Sequence, residues 1–321
     1  MNTFKATLKG NLDFGIPKTY DMMTAHFLRR LELYYKNDYA LKGIEFFEPD
    51  TFSLVVPRMT IECSEKTWKN TIGLFRELRG FAIAGYLDIF VTDMNNQLVM
   101  EETIVPQGDK VATTEYLRGV SFLTKPGKED KAIESFTKAI EKYNRYAQAY
   151  ERRGTAYLRM GKTEDALMDF SKSLSISPNP EAYFGLAETK RKMGDLTGAI
   201  ADLTLALKNA VPFQPIFWMS RRVKGEIHLQ LNQSNEAAFE FKYFTKRAFK
   251  DTDPNLPHRA KAWSMYATAL ELTGDKKAAI EAALQAKSQG YTPEKVEILR
   301  GGIEIPKAVK MPKGTAVAMS N

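Results

Sequence analysis

The residues of this chain whose types could support catalysis are few: His26, His228, His258, Cys63 and the adjacent pair Glu101 and Glu102. A histidine changes charge near neutral pH, which suits it to act as a general base. None of the three has a nucleophile at a recognisable spacing. His26 follows Met23 on an apolar helical face, and His228 stands where an aromatic packing residue belongs, so both read as packed or surface histidines. Cys63 closes a β-rich stretch without a second cysteine, as an inert buried thiol would. Glu101 and Glu102 would point to opposite faces of a strand and could not work as one acid–base pair. There is no Cys/His cluster with metal-ligand spacing and no GxxxxGKS or GxxxxGKT phosphate loop. The expectation is a protein that is not an enzyme and needs no cofactor or metal.

The chain has 321 residues, 44% of them apolar and 26% charged, enough to build a core and a solvated surface. That length favours a globular part joined to a second structural unit. No apolar run of 18 residues would span a membrane, and Met1 to Ala6 lacks the apolar segment of a signal peptide. A cytoplasmic location is expected, and the lone cysteine suits a reducing compartment. The net charge of +7 is uneven. Residues 1–110 carry a net −2 and residues 111–321 a net +9. A basic surface attracts acidic peptides, nucleic acid or anionic lipid over distances that salt shortens.

The elements that position these residues differ between the two parts. In residues 1–110, Phe4, Ala6 and Leu8 alternate with polar neighbours and predict a strand. Tyr20, Met23, Phe27, Leu31 and Tyr34 share one face of a helix after Pro17. Two β-rich stretches follow, Leu41 to Phe47 and Thr51 to Cys63. Ser64 and Glu65 start a helix bearing Trp68, Ile72, Phe75 and Leu78 that ends near Gly80. Tyr86 to Thr92 and Gln97 to Ile104 form a hairpin around Asp93-Met94-Asn95-Asn96. The order β-α-β-β-α-β-β contains a ferredoxin-like arrangement of two helices on an antiparallel sheet. Arg79 to Tyr86 resembles the signature of RNA-recognition sheets, but Ile83 and Ala84 replace its aromatic and valine. It also follows the second helix, where that family places the motif on the strand before. A helix end followed by a buried strand is the preferred reading.

From residue 111 the period changes. Tyr150, Gly154, Tyr157, Gly161, Ala166, Phe170 and Pro178 predict a helix, a tight turn and a second helix, with Gly154 and Ala166 small where the helices are closest. The same small and aromatic positions recur around Ala132, Ala166, Ala199, Ala237 and Ala279, at intervals of 34, 33, 38 and 42 residues. This pattern resembles the tetratricopeptide repeat. The longer intervals come from insertions such as Asp251 to Pro257, which belong at turns between units. The predicted architecture is therefore an α+β domain over 1–110, an all-α solenoid of about five helix pairs over 111–293, and a short helix with an extended arm over 294–321.

The resemblance implies a concave surface lined by the first helix of each pair, on which such solenoids bind peptide segments. Its lining should include Gln148, Arg152, Thr155 and Arg159, then Phe184, Glu188 and Arg191, then Arg222, Glu226 and Gln230. Some family members hold a chaperone's terminal carboxylate with Lys and Asn on successive first helices. Leu117, Ser121 and Gly185 stand at those places here, so that use is not implied. The function expected is a protein–protein adaptor or assembly scaffold whose partner is an acidic or extended segment. Nucleic-acid association through the basic solenoid, and an enzyme with its site in the N-terminal domain, are the alternatives. Ile303 to Met319 would form an arm able to cover a sheet edge in the same or a neighbouring subunit, which would make the protein a homo-oligomer.

Overall fold

The computed structural model describes residues 3–35 and 38–291. The expected helix and arm after residue 293 lie outside the described residues. The chain divides into two compact units, the first ending at Lys224 and the second beginning at Gly225.

The first unit opens with a sheet and two helices. Strand β1 (Thr3–Asp13) leads through Pro17 into α1 (Pro17–Arg30), which continues as a single wider turn over Leu31–Tyr35. Then come β2 (Phe47–Glu48), β3 (Ser53–Ser64), α2 (Glu65–Leu78), β4 (Ala84–Thr92) and β5 (Leu98–Ile104). The strands are antiparallel in the order β2-β3-β1-β4-β5. Helix α1 leads from β1 to β2 across β3, and α2 leads from β3 to β4 across β1. This interleaving is the ferredoxin-like arrangement, with β5 added at one edge by a hairpin. Asp93 holds that turn by accepting from the backbone N–H of Asn95 and Gln97. The Leu41 to Phe47 stretch is not a full strand. Only Phe47 and Glu48 pair with β3, while Leu41 and Phe47 are buried as anchors of an irregular segment. Tyr34 also departs from the expected apolar face, since the wider turn leaves it exposed beneath the Arg30 guanidinium.

One face of the sheet packs on α1 and α2 through Ala6, Leu8, Leu12, Leu87, Ile89 and Val91. Ser64 caps α2 by accepting from Thr67 N–H at 3.1 Å, as its sequence position requires. Arg79 to Tyr86 forms the end of α2 and the start of β4, and Phe81 lies outside both.

Helix pairs follow in the same unit: α3 (Lys110–Leu123) with α4 (Glu129–Lys142), α5 (Ala147–Arg159) with α6 (Thr163–Ile176), and α7 (Pro180–Lys192) with α8 (Leu196–Asn209). The small residues act as the spacing implied. A Cβ on Gly119 would lie 2.6 Å from the Phe136 ring, and one on Gly185 would lie 2.3 Å from the Phe170 ring. Ala132, Ala166 and Ala199 are fully buried. Gly161 and Gly194 adopt φ of 78° and 87° in the turns inside the pairs, a left-handed conformation that glycine takes without strain.

Helix α9 (Pro215–Gln230) runs from the first unit into the second, which also holds α10 (Ser234–Lys246), α11 (Arg259–Leu272) and α12 (Lys276–Ser288). Within the second unit the Phe241 ring packs against Gly225, and Ala237 and Ala279 are fully buried. His228 is buried and shares a 2.6 Å hydrogen bond with Gln233 through Nδ1. The Asp251 to Pro257 insertion lies between α10 and α11, outside both helices.

Candidate functional site

The other face of the sheet is covered too, and the site lies there, wholly inside the first unit. Along β4 the side chains alternate: Leu87, Ile89 and Val91 enter the core with α1 and α2, while Tyr86, Asp88 and Phe90 point the opposite way. The first helices of the repeats meet that second face. Ala84 packs with Ala112, Ala139 and Ala149, and the Phe90 and Phe213 rings stack at 5.7 Å.

Polar groups bind the two layers together over long sequence distances. Lys9 Nζ donates to the carbonyl of Asn209 at 2.7 Å and lies 3.8 Å from Asp88. Asp88 also accepts from Thr103 and Gln214. Arg58 donates to the Ala210 carbonyl, Gln148 accepts from Gly85 N–H, and Arg145 lies 3.4 Å from Asp13. Alternation along β1, whose Ala6, Leu8 and Leu12 enter the core, puts Lys9 on the helix-facing side directly opposite Asp88 of β4. Burial lowers the Lys9 pKa and raises those of Asp13 and Asp88, each opposed by the partners that hold the charged form.

The layers do not close completely. A cavity of about 720 Å³ remains between β4–β5 and helices α3, α5, α7 and the start of α9, within the size range of small-molecule and peptide-anchor pockets. Its sheet wall includes Tyr86, Asp88, Phe90, Glu101 and Thr103, and its helix wall includes Tyr116, Gln148, Glu151, Arg152, Thr155, Glu181, Phe184 and Glu188.

Five residues expected on the concave face, Gln148, Arg152, Thr155, Phe184 and Glu188, come together around this cavity. The others are elsewhere. Arg159 donates to the Leu123 carbonyl at 2.6 Å, tying α5 to the end of α3. Arg191 binds Glu188 at 3.0 Å. Arg222 lies on the part of α9 in the first unit, and Glu226 and Gln230 lie on the part in the second. Of the four arginines only Arg152 lines the cavity, and it lies 3.1 Å from its neighbour Glu151, which raises its pKa further.

Sequence reasoning missed the sheet wall and Glu181. The signal for the wall was in β4, where Ala84, Tyr86 and Phe90 around Asp88 on one parity and Leu87, Ile89 and Val91 on the other leave both faces largely apolar. A strand apolar on both faces is covered on both. Glu181 reads as an ordinary first-turn acid of α7, which begins with the Asn179 cap and Pro180. The structure places it at the cavity instead. Glu181 keeps some accessible surface there, but desolvation raises its pKa to about 7, reinforced by Glu151 and Asp88 and opposed by Lys9 and its own backbone N–H.

Of the residues first considered for catalysis, Glu101 lines this cavity, whereas His26 and Cys63 of the same unit do not. His26 Nε2 lies 2.9 Å from Glu77, which also receives two hydrogen bonds from Arg30. Cys63 is half-buried, and desolvation raises its thiol pKa, opposed by the Trp68 N–H. Among the described residues no cluster of three or more His, Cys, Asp or Glu is placed to hold a metal ion.

A sheet backed by stacked helix pairs, with a cavity between the sheet and the first helices, defines a helical-repeat protein with an N-terminal α+β domain. Models of the tetratricopeptide repeat match residues 147–180, 180–210 and 222–291, and these segments are tetratricopeptide repeats. No curated protein matches the chain in sequence. Parts of the chain are similar to solved structures. PilF of Pseudomonas aeruginosa is 14% identical with a TM-score of 0.51, covering 60% of this chain and 82% of its own. PilW is 16% identical with a TM-score of 0.49, over 60% and 88% of the two chains. MamA is 16% identical with a TM-score of 0.46, over 61% and 98%. Among the described residues no helix is long and apolar enough to cross a membrane.

Proposed function

We propose that this protein is a non-enzymatic adaptor or assembly scaffold that holds a segment of a partner protein in the cavity between its sheet and the concave side of its first three helix pairs. The observation that carries this reading is the lining itself. Three successive first helices, α3, α5 and α7, present Tyr116, Gln148, Thr155 and Phe184 to one partly open space, a mixture of aromatic surface and hydrogen-bonding groups that suits a peptide. The sheet makes the groove narrower than a bare solenoid's, so the segment would be gripped from two sides. No cofactor enters this reading.

Site-specific photo-crosslinking in the full chain tests it. A benzophenone side chain replacing Phe184 should capture a partner, whereas one replacing Met168, which is exposed on α6, should not. Equal capture at both positions would count against the cavity as the binding site.

A further inference from the structure

The cavity carries more acid than base. Asp88 is paired with Lys9, Glu151 with Arg152 and Glu188 with Arg191. Glu101 and Glu181 also line the cavity, and among the described residues neither has a cation at ion-pair distance. Glu188 adds a second feature. Its Oε2 accepts from Arg191, but its Oε1 is buried without a hydrogen-bond partner, a condition that costs stability unless something answers it. The rings of Tyr86, Tyr116 and Phe184 border the same space and could face a cation.

A first-turn acid interacts favourably with its helix dipole, and it needs no burial to do so. Glu181 is held where desolvation works against its charge. An arriving cation would reverse that penalty. The cavity is also bordered by a terminal strand: β5 pairs with β4 alone among the described strands. Glu101 and Thr103 of β5 line the cavity, while Glu102 between them binds Arg76. An extended segment added to this edge would direct every second side chain to the cavity side.

We propose that the cavity receives an extended basic segment of a partner protein, which pairs with the open edge of β5 and sets a lysine or arginine side chain against Glu181. This rests on the adaptor reading and specifies its partner's chemistry. Binding needs Glu181 ionised, so it should strengthen between pH 6 and 8, through the value of about 7 at which Glu181 titrates. The charged and titratable groups around Glu181 are Lys9 from β1, Tyr86 and Asp88 from β4, Tyr116 from α3, and Glu151 and Arg152 from α5.

The test uses the full chain and three short fluorescent peptides in which threonine alternates with arginine, glutamine or glutamate, followed by anisotropy at pH 8. The arginine peptide should bind roughly tenfold to a hundredfold more tightly than the glutamine peptide, the range expected for a charge-assisted contact. Glu181→Gln should remove most of that advantage, and Glu181→Asp should keep part of it. Glu101→Gln, at an exposed position, should weaken binding less. Circular dichroism of each variant checks that it is folded. An arginine peptide that binds no better than the glutamine peptide, or equally well to Glu181→Gln, overturns the inference. Tight binding of the glutamate peptide also overturns it and leaves the adaptor reading intact. If no peptide binds, the inference falls, and the crosslinking result decides the adaptor reading independently.

Discussion

Glu181 is a residue whose position costs the fold stability. Its carboxyl titrates near 4.5 in an unfolded chain and at about 7 in the folded one, so between these values the native state binds more protons than the unfolded state. Stability then falls as pH rises through this window, and the loss is complete above the folded value. A shift of this size corresponds to a few kcal/mol, on the order of 3. Glu181→Gln should therefore raise the melting temperature at pH 8 and leave it nearly unchanged at pH 4. Thermal scans at the two pH values check this, and a variant destabilised at both would mean that the carboxylate is held by contacts that offset its desolvation. Residues that lower stability in this way are characteristic of functional sites.

At the scale of elements, the helix pairs depend on close approach at a few small residues. Gly185 lies so near Phe170 that Gly185→Ala would bring its methyl to 2.3 Å from the ring, which should destabilise the first unit by about 1 to 3 kcal/mol in denaturant unfolding. Gly161→Ala meets no neighbouring atom within 4 Å, so its cost should be about 1 kcal/mol, from the left-handed backbone alone. A larger loss for Gly161→Ala than for Gly185→Ala would contradict the packing. This contrast shows why the repeats were legible in the sequence: each depends on contacts within one helix pair or the next, and their periodicity survives in Gly119, Gly154, Ala166 and Ala199. The strand order followed from the alternation of short elements for a similar reason. The local pairing of Arg152 with Glu151 and of Arg191 with Glu188, one and three residues away, was not read from the sequence. The sheet wall was hidden because Lys9 and Asp88, charged residues that normally face water, are buried against helices far along the chain.

At the scale of the molecule, the first unit joins sheet and helices that the sequence separates at residue 110. Asp88 accepts from Thr103 and Gln214 and forms an ion pair with Lys9 at that junction. Asp88→Ala would leave Lys9 buried without its partner charge, and the expected loss is about 3 to 5 kcal/mol. Hydrogen exchange should report the loss in both β1 and α8, because Lys9 also binds the carbonyl of Asn209. Protection lost in the sheet alone would contradict a shared junction. Residues 1–224 produced by themselves should unfold in one cooperative transition, whereas 111–321, without the sheet, should melt lower or aggregate because Phe213, Ala112 and Ala149 lose their cover.

The bond between Gln214 and Asp88 spans 126 residues, and that between Lys9 and Asn209 spans 200. On a ribosome adding about 5 to 20 residues each second, the sheet would be made roughly 6 to 25 s before its last helix partner. During that interval the face of β4 bearing Tyr86 and Phe90 has no cover, beside strand edges open to pairing. Nascent chains of this protein should consequently bind holdase chaperones most strongly while residues 105–214 are being synthesised, and release them once α9 has emerged.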